Sequence, residues 1–357
     1  MKNIIVGMSG GVDSAVATYL LQKKGYHVEA IFMKNWEENS EYCTTEKDYL
    51  DALRVCDVLG IDLRTVNFSK EYWNKVFQHF LSEYKSGRTP NPDILCNTEI
   101  KFKEFLNYAI QLGADKIATG HYVKTKLNKK KIKMYKSFDT KKDQSYFLYG
   151  LNQYQISKTI FPLGDLDKSQ VRHYAKKLGF KNFNKKDSTG ICFIGERNFK
   201  NFLKEYLPTK PGDIITSNKE KVGNHDGLMY YTLGQRKGLG IGGAKNKLNS
   251  PWYVVSKDLK NNKLIVNQGH NHKNLYKTSL EGSNINWISG NKPLLKKFNA
   301  KIRYRMNDAP CTITELTSST IRVKFDKPQF AIAPGQSIVF YNNDECIGGA
   351  IIDKTFN

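Results

Sequence analysis

Between the apolar run Ile4-Ile5-Val6-Gly7-Met8 and a helical pattern beginning at Asp13 stands the turn Ser9-Gly10-Gly11-Val12-Asp13-Ser14. A buried strand that must pass at once into a helix, through paired glycines, commits the chain to a strand–helix unit of a parallel sheet. The helix predicted over 13–24 carries Ala15, Val16, Tyr19 and Leu20 on one face and is stopped by Gly25. The pattern then repeats. A strand is expected over 28–32 and a helix over 46–59, with Leu50, Leu53 and Val58 as core positions. A strand over 63–68, a long helix over 71–84, a helix over 98–112 and a strand over 116–119 follow. Helices between successive strands predict a parallel sheet covered on both faces.

Beyond this the texture changes. The Lys-heavy stretch from Lys124 to Lys136 reads as an exposed hairpin, and 167–178 as a helix with Asp167 as N-cap and Gly179 past its end. After Tyr206, Pro208, Pro211, Gly212 and the run from Gly234 to Gly243 mark a smaller, Gly-rich module. From about 275, short alternating segments at 300–305, 311–316, 320–325, 337–341 and 346–352 are separated by turn signals, which predicts a small antiparallel barrel. The expected division is a catalytic domain over 1–206, a central domain over 207–274 and a C-terminal β-barrel over 275–357.

The 357 residues hold 56 Lys and Arg against 34 Asp and Glu, a net charge of +22. Such a field attracts polyanions, RNA above all, although a chain this rich in Lys, Asn and Ile also carries charge as compositional drift. No apolar run approaches the ~20 residues that span a bilayer. Because the first strand begins within a few residues of Met1, no leader peptide is expected, and a cytoplasmic monomer without membrane attachment is. The six cysteines, at 43, 56, 96, 192, 311 and 346, form no C-x-x-C pair. That argues against a structural zinc site, and a cytoplasmic chain of this size needs no disulfide framework.

The glycines of the first turn let backbone approach a phosphate closely, while serine hydroxyls and helix N-terminal amides supply donors. The turn lacks the G-K-[ST] ending of a Walker loop and is not a G-x-G-x-x-G dinucleotide turn. S-G-G-x-D-S after a first strand resembles the signature of the PP-loop ATP pyrophosphatases, whose adenine nucleotide α-hydrolase-like fold cleaves ATP between its α and β phosphates and adenylates a carbonyl oxygen. The resemblance implies ATP bound by Gly7, Met8, Ser9, Gly10, Gly11, Val12, Asp13 and Ser14, with Met33 and Gly120 lining the adenosine site.

Two cysteines stand in contexts suited to sulfur chemistry. Asn91-Pro92-Asp93-Ile94-Leu95-Cys96-Asn97 precedes the helix expected from Thr98, so the Cys96 thiolate would feel the positive end of the macrodipole, with Asp93 placed as acid, base or acceptor. Cys192 lies between glycines in Ser188-Thr189-Gly190-Ile191-Cys192-Phe193-Ile194-Gly195-Glu196-Arg197. These segments resemble the tRNA-specific 2-thiouridylase family. The likeness extends over TPNPDILCNTEIKF at 89–102, ATGHY at 118–122, KDQSYFL at 142–148, STGICFIGER at 188–197, YTLGQRKGLGIGG at 231–243 and PWYVV at 251–255.

That resemblance implies adenylation of the wobble uridine C2 oxygen by ATP with Mg²⁺, and sulfur arriving as a persulfide on Cys192 from a sulfur-relay protein or a cysteine desulfurase. Cys96 then acts as nucleophile, releasing sulfide or forming a transient disulfide with Cys192. It also implies tRNA contacts at Asn91, Pro92, Asp93, His121, Lys142, Asp143, Gln144, Arg303, Tyr304 and Gln336. In 300–305 the alternation itself predicts a strand with Lys301, Arg303 and Arg305 on one face and Ile302 and Tyr304 on the other, a row of cations for a phosphate backbone.

Rival readings differ at named features. Lysidine synthesis needs no cysteine pair, and iron–sulfur cytidine thiolation typically shows a C-x-x-C. Thiolation at position 4 would bring further N-terminal modules. A basic RNA-binding protein with a vestigial nucleotide site would not keep Ser9, Asp13, Ser14, Cys96 and Cys192 together.

Overall fold

The structure is a computed structural model, and it describes residues 1–37, 45–186, 199–241 and 250–357. Its first sheet is built from β1 (Asn3–Gly7), β2 (His27–Lys34), β3 (Leu63–Asn67), β4 (Lys116–Ala118) and, after an excursion, β7 (Thr159–Ile160). The strand order is β3-β2-β1-β4-β7 and every pairing in it is parallel, as the strand–helix alternation predicts. The order reverses direction at β1, so the crevice beyond its C-terminal end opens where the phosphate loop sits. Helix α1 (Val12–Lys23) follows that loop, and α2 (Thr45–Leu59) covers the same face.

The helix faces are partly as expected. In α2 the buried side is Ala52, Val55 and Cys56, whereas Leu50 and Val58 are 42% and 55% exposed. Small residues win that face because α2 lies close against the loop, with the Asp48 carbonyl backed onto Gly10. A long helix, α3, runs over 69–85 with a wide turn at Trp73–Phe77. Helix α4 covers 92–111 without a break and so starts six residues before the expected Thr98. Asn91 explains the start: its side chain accepts from the Asp93 N–H at 3.1 Å, and Pro92 occupies the first helical position. Helix α5 (Lys168–Lys177) is capped by Asp167 through a full capping box with Gln170, worth about 1 kcal/mol.

The Lys-rich hairpin does not stand alone. Its strands β5 (Val123–Asn128) and β6 (Lys131–Lys136) extend the C-terminal sheet, with Tyr135 opposite Glu345 and Met134 opposite Cys346. The lysines hid an inward face, for Val123 and Met134 are fully buried. The central module pairs β8 (Gly212–Thr216), β9 (Lys221–His225), β10 (Trp252–Asp258) and β11 (Lys263–Gln268) in the order β10-β11-β8-β9.

The last module is a closed six-stranded barrel of β12 (Tyr276–Trp287), β13 (Lys297–Lys301), β14 (Ala309–Leu316), β15 (Thr320–Phe330), β16 (Ser337–Asn342) and β17 (Glu345–Phe356). The β12–β17 pairing closes it. One continuous apolar core joins the modules: it contains Ile5 and Phe105, Val254 and Leu264, and Val339 and Tyr341. Among the described residues no helix is long and apolar enough to cross a membrane.

The expected row of three cations does not form. Strand β13 ends at Lys301, and the chain turns. Lys301 faces Asp143 and Asp308 at 3.8 Å each, while Arg303 turns inward and donates to the Leu233 and Ala331 carbonyls, both at 2.7 Å. Only Arg305 of the three is exposed. Hydrogen bonds from a charged donor to carbonyls contribute about 1.5–3 kcal/mol each, more than a solvated surface position returns.

Candidate active site

The phosphate loop is organised by its own short side chains. Ser14 Oγ donates to the Gly11 carbonyl at 3.0 Å and accepts from the Ser9 N–H at 3.2 Å; the Ser9 and Ser14 hydroxyls lie 3.2 Å apart. Gly10 has φ +72°, in the left-handed region, and Gly11 caps α1 without a side-chain bond. The helix N-terminus therefore faces the crevice uncovered by any capping side chain, a suitable seat for an anion. A Cβ on Gly120 would lie 2.8 Å from the backbone of Asp13 and Ser14, so only glycine lets the end of β4 come this close. Met33 packs on Gly7 from the neighbouring strand, its Cε 3.1 Å from where a Cβ would be. Gly7–Ser14, Met33 and Gly120 are thus brought together, and the donor set and glycine cradle fit a nucleotide polyphosphate.

Sequence reasoning missed the groups behind and beside this loop. Asp13 accepts from the Tyr122 hydroxyl at 2.7 Å and from Lys168 Nζ at 2.7 and 2.8 Å. Asn182 Nδ2 and Lys185 Nζ donate to the Gly10 carbonyl at 3.0 and 3.3 Å, and Lys185 also bridges Asp48 and Asp51 at 2.7 and 2.6 Å. Lys168 and Lys185 lie about 155 and 175 residues along the chain from the loop, and no local pattern distinguishes them from the other lysines.

The second half of the site is the N-terminus of α4. Because that helix begins at Pro92, its first turn holds Asp93, and Cys96 falls just beyond the turn where the macrodipole acts. Cys96 is 2% exposed. Burial pushes the Asp93 carboxyl up from the ordinary carboxylate range, against the opposing pull of Lys101. The same helix, nine residues further on, lays the Phe105 ring 3.4 Å from the position of a Gly7 Cβ, which ties Asp93 and Cys96 to the phosphate loop.

The segment entering α4 is held from both β modules. Thr89 N–H donates to the Pro334 carbonyl at 2.9 Å, its hydroxyl meets Thr232 at 3.3 Å, and Gln336 Nε2 donates to the Thr89 carbonyl at 2.7 Å. Gly335, at φ +90°, would place a Cβ 2.9 Å from Thr89 N.

The remaining expected tRNA contacts fall around this frame. His121 lies between the Phe102 and Phe161 rings, bonds Thr119 at 2.9 Å through Nδ1, and is driven well below the usual imidazole range by burial and then by Lys101. It is therefore neutral at physiological pH. Gln144 bonds the Tyr122 backbone at both ends, donating from N at 2.9 Å and accepting at Oε1 at 2.9 Å. Asp143 is buried, with its carboxylate accepting from Ser137 N and from Ser145 N and Oγ. Lys142 is half-buried beside it, and Tyr304 packs on Phe147 at 4.4 Å between ring centroids. Cys192, with the rest of 187–198, lies outside the described residues, as do Gly242 and Gly243. Among the described residues no cluster of three His, Cys, Asp or Glu side chains could hold a metal.

A PP-loop α/β domain carrying an anion cradle, followed by two β modules that grip the segment entering α4, defines a class of nucleotide-dependent enzyme. Family models describe the parts as a tRNA methyl transferase HUP domain over 2–196, a tRNA methyl transferase PRC-barrel domain over 200–268 and an aminomethyltransferase β-barrel domain over 277–352. The tRNA-specific 2-thiouridylase MnmA of Marinomonas sp. is 55% identical over 100% of this chain and 92% of its own length. That of Proteus mirabilis is 56% identical over 99% and 97%, and that of Francisella philomiragia 54% over 98% and 99%. The chain belongs to the tRNA-specific 2-thiouridylase (MnmA) family, whose members are tRNA sulfurtransferases.

Proposed function

We propose that this protein performs ATP-dependent 2-thiolation of the wobble uridine of tRNA. The observation that carries the reading is convergence: α4 brings Asp93 and Cys96 onto the helix that packs against Gly7 of the phosphate cradle. Extruded from its stack, the uridine would lie between the two. Its C2 oxygen attacks the α-phosphorus of ATP, the bond to the β-phosphate oxygen breaks, and pyrophosphate leaves. Uracil oxygen is a poor leaving group, and adenylation converts it into one that departs as AMP. The cradle amides and hydroxyls of Gly7–Ser14 would hold the phosphates, whose charge a bound Mg²⁺ would offset.

Sulfur then adds at C2. It arrives as the outer sulfur of a persulfide on Cys192, supplied by a sulfur-relay protein or a cysteine desulfurase. When the Cys96 thiolate attacks Cys192 Sγ, the S–S bond of the persulfide breaks, a Cys96–Cys192 disulfide forms and the outer sulfur leaves as sulfide, which attacks C2 and expels AMP; an external thiol reductant then reduces the disulfide. The described residues flanking the Cys192 segment suit this reach. On one side Asn182 and Lys185 touch Gly10; on the other Phe199 packs on Phe80 and Tyr84 of α3, which leads into Thr89. Asp93, with its carboxyl raised, is suited to accept or return the uracil N3 proton. Asn91, Pro92, His121, Lys142, Gln144, Arg303, Tyr304 and Gln336 would line the tRNA path or hold its walls, and Asp143 would act through the segment it anchors.

Mass spectrometry of nucleosides from total tRNA, in cells with the gene intact or depleted, tests the reading. Loss of 2-thiouridine derivatives, restored by the wild-type chain but not by Cys96→Ser or Cys192→Ser, is expected. Unchanged 2-thiouridine with another modification missing would overturn the substrate.

A further inference from the structure

The phosphate loop is gripped from behind. The Gly10 carbonyl accepts from Asn182 Nδ2 at 3.0 Å and from Lys185 Nζ at 3.3 Å. In a trans peptide the C=O and the following N–H point in opposite directions, so anchoring the Gly10 oxygen outward aims the Gly11 N–H inward. That N–H faces Ser9 Oγ at 3.4 Å, on the cradle side. Glycine has no Cβ to prevent this peptide from turning over, and turned over it would present an oxygen to the phosphates.

Three further features mark the arrangement as a built one. Gly10 is backed so closely on α2 that a Cβ would lie 2.1 Å from the Asp48 carbonyl, so the loop cannot retreat. Asn182 is 6% exposed, and its Oδ1 has no hydrogen-bond partner among the described residues. A buried amide that leaves its acceptor unused carries a desolvation cost, so stability alone does not explain its placement here. Lys185 is itself neutralised by Asp48 and Asp51 at 2.7 and 2.6 Å, which holds its ammonium on the outer side of the loop.

We propose that Asn182 and Lys185 are positioning residues for ATP: they lock the Gly10–Gly11 peptide with its N–H toward the phosphates, so the cradle is preorganised before the nucleotide arrives. The proposal rests on the reading above only in taking ATP as the ligand.

The test uses the full-length chain as wild type, Asn182→Ala, Lys185→Ala and Lys185→Arg. Three quantities are measured: the ATP dissociation constant by titration calorimetry with MgCl₂, steady-state KM for ATP and for tRNA, and melting temperature without nucleotide. Loss of a hydrogen bond of this kind converts to an about tenfold weaker ATP constant in Asn182→Ala and Lys185→Ala. Lys185→Arg should recover most of it, while KM for tRNA, kcat at saturating ATP and the nucleotide-free melting temperature stay near wild type. Unchanged ATP constants in both alanine variants would overturn the proposal, as would a parallel rise of both KM values with a lowered melting temperature, the mark of a merely structural role. Should one alanine variant fail to fold, the Lys185→Ala and Lys185→Arg pair or Asn182→Ala alone still decides it. A wild type that binds ATP but thiolates no tRNA removes the proposed function and leaves the ATP constants to judge the clamp; a wild type that thiolates while the alanine variants bind ATP normally removes the clamp alone.

Discussion

The phosphate loop and the segment entering α4 both serve one site, yet they are stabilised in opposite ways. The loop is held from within its own domain: Ser9 and Ser14 bond each other and the backbone between them, and Asn182 and Lys185 hold the Gly10 carbonyl. The Thr89–Asn91 segment owes its path to others, with Pro334 and Gln336 of the barrel and Thr232 of the central module on it. A nucleotide seat can therefore exist in the first domain alone, while the position of Asp93 and Cys96 depends on the whole chain. Under the proposed function, the two β modules would thereby share in the chemistry.

Substitutions can separate the two halves. The largest effect is expected from Asp93→Asn, which removes the proposed proton-transfer group and should lower thiolation by about 10²- to 10⁴-fold with ATP affinity intact. Because burial raises the Asp93 carboxyl, its charged form costs stability, and that cost is present once pH rises above the raised value. The inactive Asn variant should thus melt higher than wild type at pH 8 and lose the advantage in acid, as calorimetry would show.

Next come two glycine exchanges. Gly120→Ala would drive a methyl to 2.8 Å from Asp13 and Ser14 backbone and should weaken ATP binding by about tenfold or more, an overpacking cost of about 1–3 kcal/mol. Gly335→Ala, strained at φ +90° and 2.9 Å from Thr89 N, should instead lower kcat and leave the ATP constant alone. If Gly335→Ala weakened ATP binding equally, the proposed independence of the halves would fail. Gln336→Ala, which loses the 2.7 Å bond to the Thr89 carbonyl, is expected to reduce kcat by about three- to tenfold.

The smallest effect is a pH dependence. Since His121 is depressed far below its unfolded value near 6.5, its contribution is full above that pH and lost as pH falls toward the folded value. His121→Gln should flatten the stability profile between pH 6.5 and 5 in chemical denaturation; an unchanged slope would show that His121 is not the titrating group.

The same contrast explains what could be read from the residues. Spacing alone put Ser9, Asp13 and Ser14 where β1 passes into α1, because a strand–turn–helix junction is a local object. The capping of 167–178 was equally local: Asp167 caps the helix as expected, and Gln170 adds a box to it. The start of α4 was misplaced because Asn91 competes as an N-cap with a helix pattern that strengthens only after Thr98. Arg303 was misread because strand alternation says nothing about Leu233 and Ala331, whose carbonyls draw it inward. Lys185 and Asn182 gave no signal at all: their role is set by where α2 leaves Gly10, which is a fact of tertiary packing.

The hairpin that the first domain lends to the last sheet has a consequence for the order in which the chain can be completed. Lys133 meets Glu345 at 2.8 Å across 212 residues, and β6 finds β17 only when the final strand has been made. On the ribosome the catalytic domain would emerge with an unpaired strand edge and wait for most of the remaining polypeptide. Contacts of such separation close slowly, and an open edge meanwhile invites mispairing. The seven lysines in the hairpin's two strands and turn place like charge along that edge, which opposes its pairing with other chains.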